Sequence, residues 1–391
     1  MSTVGTYLDH AASTPLRPEA VAAMEPFLRG SFGNPSGGHA AARVAKTALE
    51  AAREEIAELL GARPAEVVFT AGGTEADNLA VKGAARAARE SDDELRSVVT
   101  AAFEHKGVLA AADRLEREGF RTVRVGAAPS GIVDVEALLA AVDERTAVVS
   151  LMLVNNEVGT IQPLDEIVAG VRRRAPRAVV HTDAVQAVPW LDVTRAAADT
   201  DLVAISAHKF GGPKGTGALV VRGDARVEPL IEGGGQEGGL RSGTSNVAGA
   251  VAMAAALRAT CRDRDDDVAR LARLRDRLVD GLIATIPQTF ENGARAAKVA
   301  GNAHVGFRGV EAEALLVVLD GAGVYAAAGS SCSSGATDPS HVLAAMGIPR
   351  ADALSSIRLS LGFASVEADV DTALAVIPDA VARLRAAGVA A

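Results

Sequence analysis

Cysteine is scarce. The chain has two, Cys261 and Cys332, far apart and in no CxxC pair, which argues against a disulfide framework and against a structural zinc site. The histidines form no HExxH and no pair at helical metal spacing, so no protein-bound metal is expected. Positive charge is also in deficit. The net charge is −9, and the basic residues are dispersed, which argues against nucleic acid as a partner. The densest basic cluster, Arg172 to Arg174, falls at a helix end, where it complements the dipole. No apolar run approaches the roughly 20 residues of a membrane span, and MSTVGTYLDH lacks a basic stretch followed by an apolar one. The chain therefore reads as soluble and cytoplasmic, without a membrane partner.

What is present is an alternation of short β-branched runs and alanine-rich helical stretches. Runs at 66–70, 97–101, 147–153, 178–182 and 202–206 read as buried parallel strands in a wrapped sheet. Helices are expected from His39 to Leu60, Glu75 to Arg89 and Asp165 to Arg174, long enough to serve as crossovers. With 391 residues the chain can form two domains, or one large domain with a lobe. From about Ala248 a long helical stretch begins, and a smaller lobe follows. That lobe contains HVGFRG, a helix from Glu311 to Leu319, the GSSCSSG run and a final helix from about Glu367 to Ala386, which Pro378 is expected to kink or break.

Four polar clusters fall where strands should end, the place where open α/β sheets bind ligands. Lys209 follows the strand 202–206. A strand end can lower an amine's pKa enough to make it a Schiff-base nucleophile, and Ser206 and His208 flank it with donors suited to an anion. Gly211, Gly212, Gly215 and Gly217 would let backbone approach a bound group. AGGTEADN offers a helix N-terminus and the Thr74 hydroxyl to a phosphate, or else an N-cap in which Thr74 and Asp77 stand in near capping-box order. His105, in FEHKGV, is a residue to lie against an aromatic ligand or shuttle protons, or a solvated loop histidine. Asp183 ends a strand and needs a partner, either a protonated ring nitrogen or an arginine, with Gln186 offering a further hydrogen bond. Together these groups meet the requirements of pyridoxal 5'-phosphate.

Cys332 sits among serines and glycines, a setting that points to reactivity rather than core filling; Cys261, on a charged helix, reads as incidental. Arg358, in an apolar strand-like run, needs an anion, either a substrate carboxylate or an internal salt bridge.

The motifs YLDHAASTP, GNPSGGH, GGTEADN, EHKGV, NNEVGT, HTDAVQ, SAHKFGGPKGTG, GLRSGT, GSSCSSG and SIRLSLG resemble, in order along nearly the whole chain, those of cysteine desulfurases of the class V aminotransferase group. The resemblance implies an α/β fold-type I transferase: a large domain with a mostly parallel wrapped sheet over 16–258, and a smaller α+β C-terminal domain from 1–15 and 259–391. The small domain would carry the catalytic cysteine loop at about 325–340. It also implies that Lys209 holds the cofactor covalently, His105 stacks on its ring and Asp183 pairs with its pyridine nitrogen. Asn156 and Gln186 would contact the ring oxygen, and Gly73, Thr74, Ser206 and His208 the phosphate. Thr244 would reach the phosphate of a neighbouring subunit, implying a homodimer. Arg358 with Asn34 would bind the carboxylate of L-cysteine, and Cys332 would take the sulfur as a persulfide, leaving L-alanine and passing sulfur to an acceptor protein. Gly238, where a basic residue is frequent, and Phe363 to Ser365, where Arg-Phe-Thr is frequent, depart from the pattern. The competing readings are a selenocysteine lyase, another C–S lyase or aminotransferase of this fold, and a non-catalytic scaffold in a sulfur-transfer complex.

Overall fold

A computed structural model describes residues 5–329 and 339–388. Its strands are β1 (Thr6–Tyr7), β2 (Val67–Thr70), β3 (Ser97–Ala101), β4 (Arg121–Val125), β5 (Thr146–Ser150), β6 (Val179–Asp183), β7 (Leu202–Ser206), β8 (Gly217–Val221), β9 (Thr289–Glu291), β10 (Asn302–Phe307), β11 (Val324–Tyr325) and β12 (Ser356–Ser360). Seven of them form one sheet in the order β2-β8-β7-β6-β5-β3-β4. The expected β-branched runs all appear there. The expectation of parallel neighbours fails at one edge, because β8 lies antiparallel between β2 and β7. GALVV of β8 and the charged, half-exposed RTVRV of β4, where Arg121 and Arg124 interrupt the apolar run, are strands beyond those expected from the sequence.

Both faces of the sheet are covered, which explains why its central strands are apolar without alternation. Val99, Val149, Val203 and Ile205 point into one core, while Val98, Val148, Leu202 and Ala204 point into the other. The helix Val247–Thr285, 39 residues long, contributes Ala250, Met253, Ala256 and Leu257 to the first of these cores. Its second half sends Leu271, Leu278 and Leu282 into a separate core with Leu8, Val305, Ile357 and Ile377, built around the sheet β12-β10-β9. We propose the domain boundary within this helix, near 258–259, with the N-terminal segment joining the small domain through the parallel pair β1 and β11. The helix Glu367–Ala386 runs through Pro378 unbroken, contrary to expectation. Ile377 and Val381 hold it against the small core on either side of the proline, and tertiary packing outweighs the lost hydrogen bond.

Winding proceeds from β3 outward to β4 and then to β5 on the other side. The order of winding therefore reverses between β3 and β5, which stay parallel, and a topological switch point lies at their carboxyl ends.

Candidate active site

The carboxyl ends of β2, β3, β6 and β7 each supply polar groups to one cavity at this end of the sheet. After β2, Gly72 (φ +147°) turns the chain into the helix Gly73–Asn78, which continues as helix to Ser91. A Cβ at Gly73 would lie 2.8 Å from Val185 Cγ2, so only glycine lets this helix start against the end of β6. The capping reading of Thr74 does not hold. Gly72 is the N-cap residue, no side chain caps the helix, and Asp77 is turned inward and buried.

After β3, His105 is the N-cap of the helix Lys106–Arg117, its Nδ1 accepting from the Gly107 N–H at 3.1 Å. The neutral ring therefore carries its proton on Nε2. Burial lowers its pKa, with Lys209 and Asp183 pulling in opposite senses. Asp183 closes β6, its Oδ1 accepting from Val185 N at 2.8 Å. Among the described residues no arginine pairs with it. After β7, Lys209 Nζ donates to the carbonyls of Ala11 (2.6 Å) and Ala12 (2.9 Å). Gln186 Nε2 donates to the same Ala11 carbonyl at 2.7 Å.

These groups share one cavity of about 300 Å³, lined by Ala11, Ala12, Gly73, Thr74, Asp77, His105, Asn156, Asp183, Val185, Gln186, Ser206, His208, Lys209 and Arg358. The structure thus brings together Gly73, Thr74, His105, Asn156, Asp183, Gln186, Ser206, His208, Lys209 and Arg358, all expected from sequence. It does not bring Asn34 or Thr244 there: both are exposed, and Asn34 Oδ1 accepts from Ser36 N. Cys332 lies outside the described residues. The glycines after Lys209 do not line the cavity. A Cβ at Gly211 would meet Arg17, at Gly212 would meet Ala207, and at Gly217 would meet the Gly72 backbone, so these three serve packing within the chain, whereas Gly215 faces open space and is set apart by its φ of +73°. Of the departures from the family pattern, Phe363 lies beneath the Arg17 guanidinium, 4.2 Å from its ring centre.

Sequence reasoning missed a cluster beneath the cavity. Asp77, Glu104 and Asp183 are all buried, and Asp77, His105 and Asp183 each place one donor atom within 4.8 Å of the others. Burial, then Asp183 and Glu104, pushes the Asp77 pKa well above the usual carboxylate range; burial, then Asp183, does the same to Glu104. Glu104 Oε1 accepts from Met152 N at 2.6 Å, while its Oε2 has no partner. Asp183 is also raised by burial, but His105, the Val185 N–H and Lys209 act against that rise. Three adjacent buried carboxylates cannot all be charged, and Asp183 is the one best placed to carry the charge. His181, two residues before Asp183 on β6, is pushed down to about 3 by burial and is neutral. The visible signal was the second acid in GGTEADN, three residues after Thr74 on the same helix face.

Arg358, on β12, shows the internal salt bridge of its two sequence readings and also lines the cavity. It forms an internal salt bridge, Nη2 to Asp9 Oδ1 at 2.7 Å, and Nη1 donates to the Asn156 carbonyl at 2.7 Å. Its Nε and Asn156 Oδ1 are buried without partners.

The cavity fits pyridoxal phosphate on these observations: an amine at a strand end, a buried carboxylate with no arginine partner, orphaned polar atoms on Asn156 and Arg358, and Ser206 and His208 beside a helix N-terminus. Burial and Lys209 lower the His208 pKa to about 4, so it meets an anion as a neutral donor. The aminotransferase class-V family model matches residues 6–373. An IscS-like cysteine desulfurase of Mycobacterium tuberculosis is 48% identical over 390 residues, covering 98% of each chain. A solved NifS-like protein superimposes with a TM-score of 0.90 at 34% identity, covering 97% of this chain and 100% of that one. A structure described as SspA in complex with cysteine gives a TM-score of 0.80 at 33% identity, covering 92% and 100%. With its Lys209 cavity at the carboxyl ends of a mostly parallel sheet, the chain belongs to the class-V aminotransferase family and, within it, to the cysteine desulfurases.

Proposed function

We propose that the protein converts L-cysteine to L-alanine and passes the sulfur, by way of Cys332, to an acceptor protein. The observation that carries this reading is the convergence of Lys209, Asp183, His105 and Arg358 on one cavity. Lys209 would hold pyridoxal phosphate covalently, Asp183 its pyridine nitrogen, His105 its ring, and Asn156 and Gln186 its ring oxygen. Gly73, Thr74, Ser206 and His208 would hold its phosphate, with Thr244 supplied by the partner of a homodimer. When bound, the cofactor supplies an electron sink for cleavage next to the substrate's α-carbon.

Arg358 would orient the substrate carboxylate through guanidinium hydrogens that Asp9 and Asn156 leave available, and Asn34 would join it only if brought to the cavity from elsewhere in the assembly. Lys209, once it releases the Ala11 and Ala12 carbonyls, takes and returns the substrate's α-proton as a general base and acid. Asp183 keeps a negative charge against the ring nitrogen, because the neighbouring Asp77 and Glu104 hold their protons. The Cys332 thiolate attacks the substrate sulfur. An S–S bond forms, the C–S bond breaks, and its electron pair stays with the carbon skeleton, which is protonated and leaves as alanine. The spacing of Asp77, His105 and Asp183 is also within reach of a divalent cation. His105 Nδ1, the ring nitrogen facing Asp77, already accepts from the Gly107 N–H, and we propose no metal.

No described helix is long and apolar enough to cross a membrane, and we place the protein in the cytoplasm. The test is product analysis after adding pyridoxal phosphate and L-cysteine to purified protein. Alanine with sulfur on the protein supports the reading. Pyruvate with free sulfide would make it a lyase, turnover confined to selenocysteine would make it a selenocysteine lyase, and a chain that binds no cofactor would be a scaffold.

A further inference from the structure

Glu157, in the middle of NNEVGT, has no task in the mechanism above. It is 1% exposed, and its carboxylate lies close to one end of the segment that carries Cys332 and is hydrogen-bonded to the other. At one end a Cβ on Gly329 would lie 2.8 Å from Glu157 Oε2, and Gly329 has φ +75°, so the chain passes directly against the carboxylate. At the other end the Ser340 hydroxyl donates to that same Oε2. Ser340 Oγ also accepts from Val342 N (3.1 Å) and Leu343 N (3.4 Å), capping the helix His341–Ala345. His341 Nε2 bonds the Glu104 carbonyl at 2.9 Å, next to His105.

The turn bearing Glu157 is itself fixed. Asn155 Oδ1 accepts from Glu157 N and Val158 N, each at 2.9 Å, and Asn302 Nδ2 donates to the Glu157 carbonyl at 2.9 Å. The residue before it, Asn156, lines the cavity and gives its carbonyl to Arg358. One rigid turn therefore sets the guanidinium on one side and a carboxylate between residues 329 and 340 on the other.

We propose that Glu157 is a positioning residue for sulfur transfer, pinning both roots of the Cys332 segment at a fixed place relative to Arg358. It touches neither substrate nor cofactor. Holding both ends of a short segment together raises the effective concentration of a group within it at a site nearby. This rests on the reading of Cys332 as the first sulfur acceptor.

The test uses the holoenzyme. Ser340→Asp keeps an N-cap oxygen but sets a second carboxylate against Glu157, where the two must repel or share a proton. Adding Glu157→Gln should rescue it, the amide then donating to the new carboxylate. Four readouts are needed: bound-cofactor absorbance, L-cysteine affinity, the rate at which iodoacetamide alkylates Cys332, and single-turnover formation of alanine and persulfide. Ser340→Asp should leave the first three unchanged and slow the fourth by about ten-fold or more, the scale of one charge-assisted hydrogen bond, and the double variant should recover most of that rate. A wild-type rate in Ser340→Asp, a double variant as slow as the single one, or equal loss of cofactor and cysteine binding would overturn the proposal. If the unmodified protein makes neither alanine nor persulfide, the desulfurase reading fails first, and this proposal with it.

Discussion

Replacing Arg358 by lysine keeps one positive charge near the cavity and removes the planar fork. Arg358 is 2% exposed and already gives Nη1 to Asn156 and Nη2 to Asp9, with Nε unpartnered. A lysine can pair with Asp9, whose side chain is 19% exposed, but cannot also present two parallel N–H groups to a substrate carboxylate. The loss is one charge-assisted hydrogen bond, about 1.5–3 kcal/mol, or roughly ten- to 150-fold in kcat/KM for L-cysteine. Alanine is the poorer choice. It would strip Asp9 of its partner and open a cavity in the small-domain sheet, destabilising the fold by about 3–5 kcal/mol. The assay compares kcat/KM for L-cysteine with that for cysteamine, which lacks the carboxylate. Arg358→Lys should lower the first and leave the second, already poor, unchanged. An unchanged value for cysteine, or equal losses for both, would show that Arg358 serves only its salt bridge with Asp9.

Three further outcomes follow from the same geometry. Lys209→Ala should abolish the visible absorbance of lysine-bound cofactor and lower turnover by about 10²–10⁴-fold, the range for a positioned acid–base group; surviving absorbance would place the reactive amine elsewhere. Asp183→Asn keeps an acceptor for Val185 N but removes one of three crowded buried acids, so activity should fall by about 100-fold while the chemical-denaturation midpoint at pH 8 stays level or rises. A clear loss of stability would mean that the charge also supports the fold. His181 and His304, both fully buried, are pushed down to about 3 by burial. The unfolded chain binds protons near pH 6.5 and the folded chain does not, so stability falls as pH drops from about 6.5 towards 3, by about 2 kcal/mol per histidine at pH 5. His304→Gln should shrink the difference in urea midpoint between pH 7 and pH 5, and an undiminished difference would refute that assignment.

Much of the site was legible because strand ends in α/β sheets are marked twice, by a β-branched run and by the polar residues that follow it. VVFTAGGT, VVTAAFEH, VVHTDAVQ and LVAISAHK each show both marks. What was not legible depends on contacts distant in sequence. Ala11 and Ala12 act through their carbonyls, which no side-chain pattern reveals, and are held near Lys209 by the bonds of Thr14 to the His208 carbonyl and of Ala11 N to Ser360 Oγ. Asp77 read as a capping residue because its neighbours suit a cap, but the helix N-cap is Gly72 and the tertiary packing of the helix's inner face buries Asp77. Gly211, Gly212 and Gly217 suggested ligand approach but are required by neighbouring backbone and side chains, and Gly215 by its positive φ. Strand β8 escaped notice because its first residue is glycine and its direction breaks the parallel pattern. Pro378 misled because local propensity was weighed without the core that Ile377 and Val381 join. Glu157 stood in a motif recognised as a whole, and its role emerges only where residues 329 and 340 meet.

The central claim is that sulfur leaves L-cysteine onto Cys332. A single turnover with L-cysteine, reading alanine and the persulfide on Cys332 together beside a Cys332→Ser variant, tests it most directly. Equal amounts of alanine and Cys332 persulfide in the unmodified protein, with cofactor bound but no persulfide in the variant, are predicted. A variant that released sulfur from cysteine at the full rate would contradict the account.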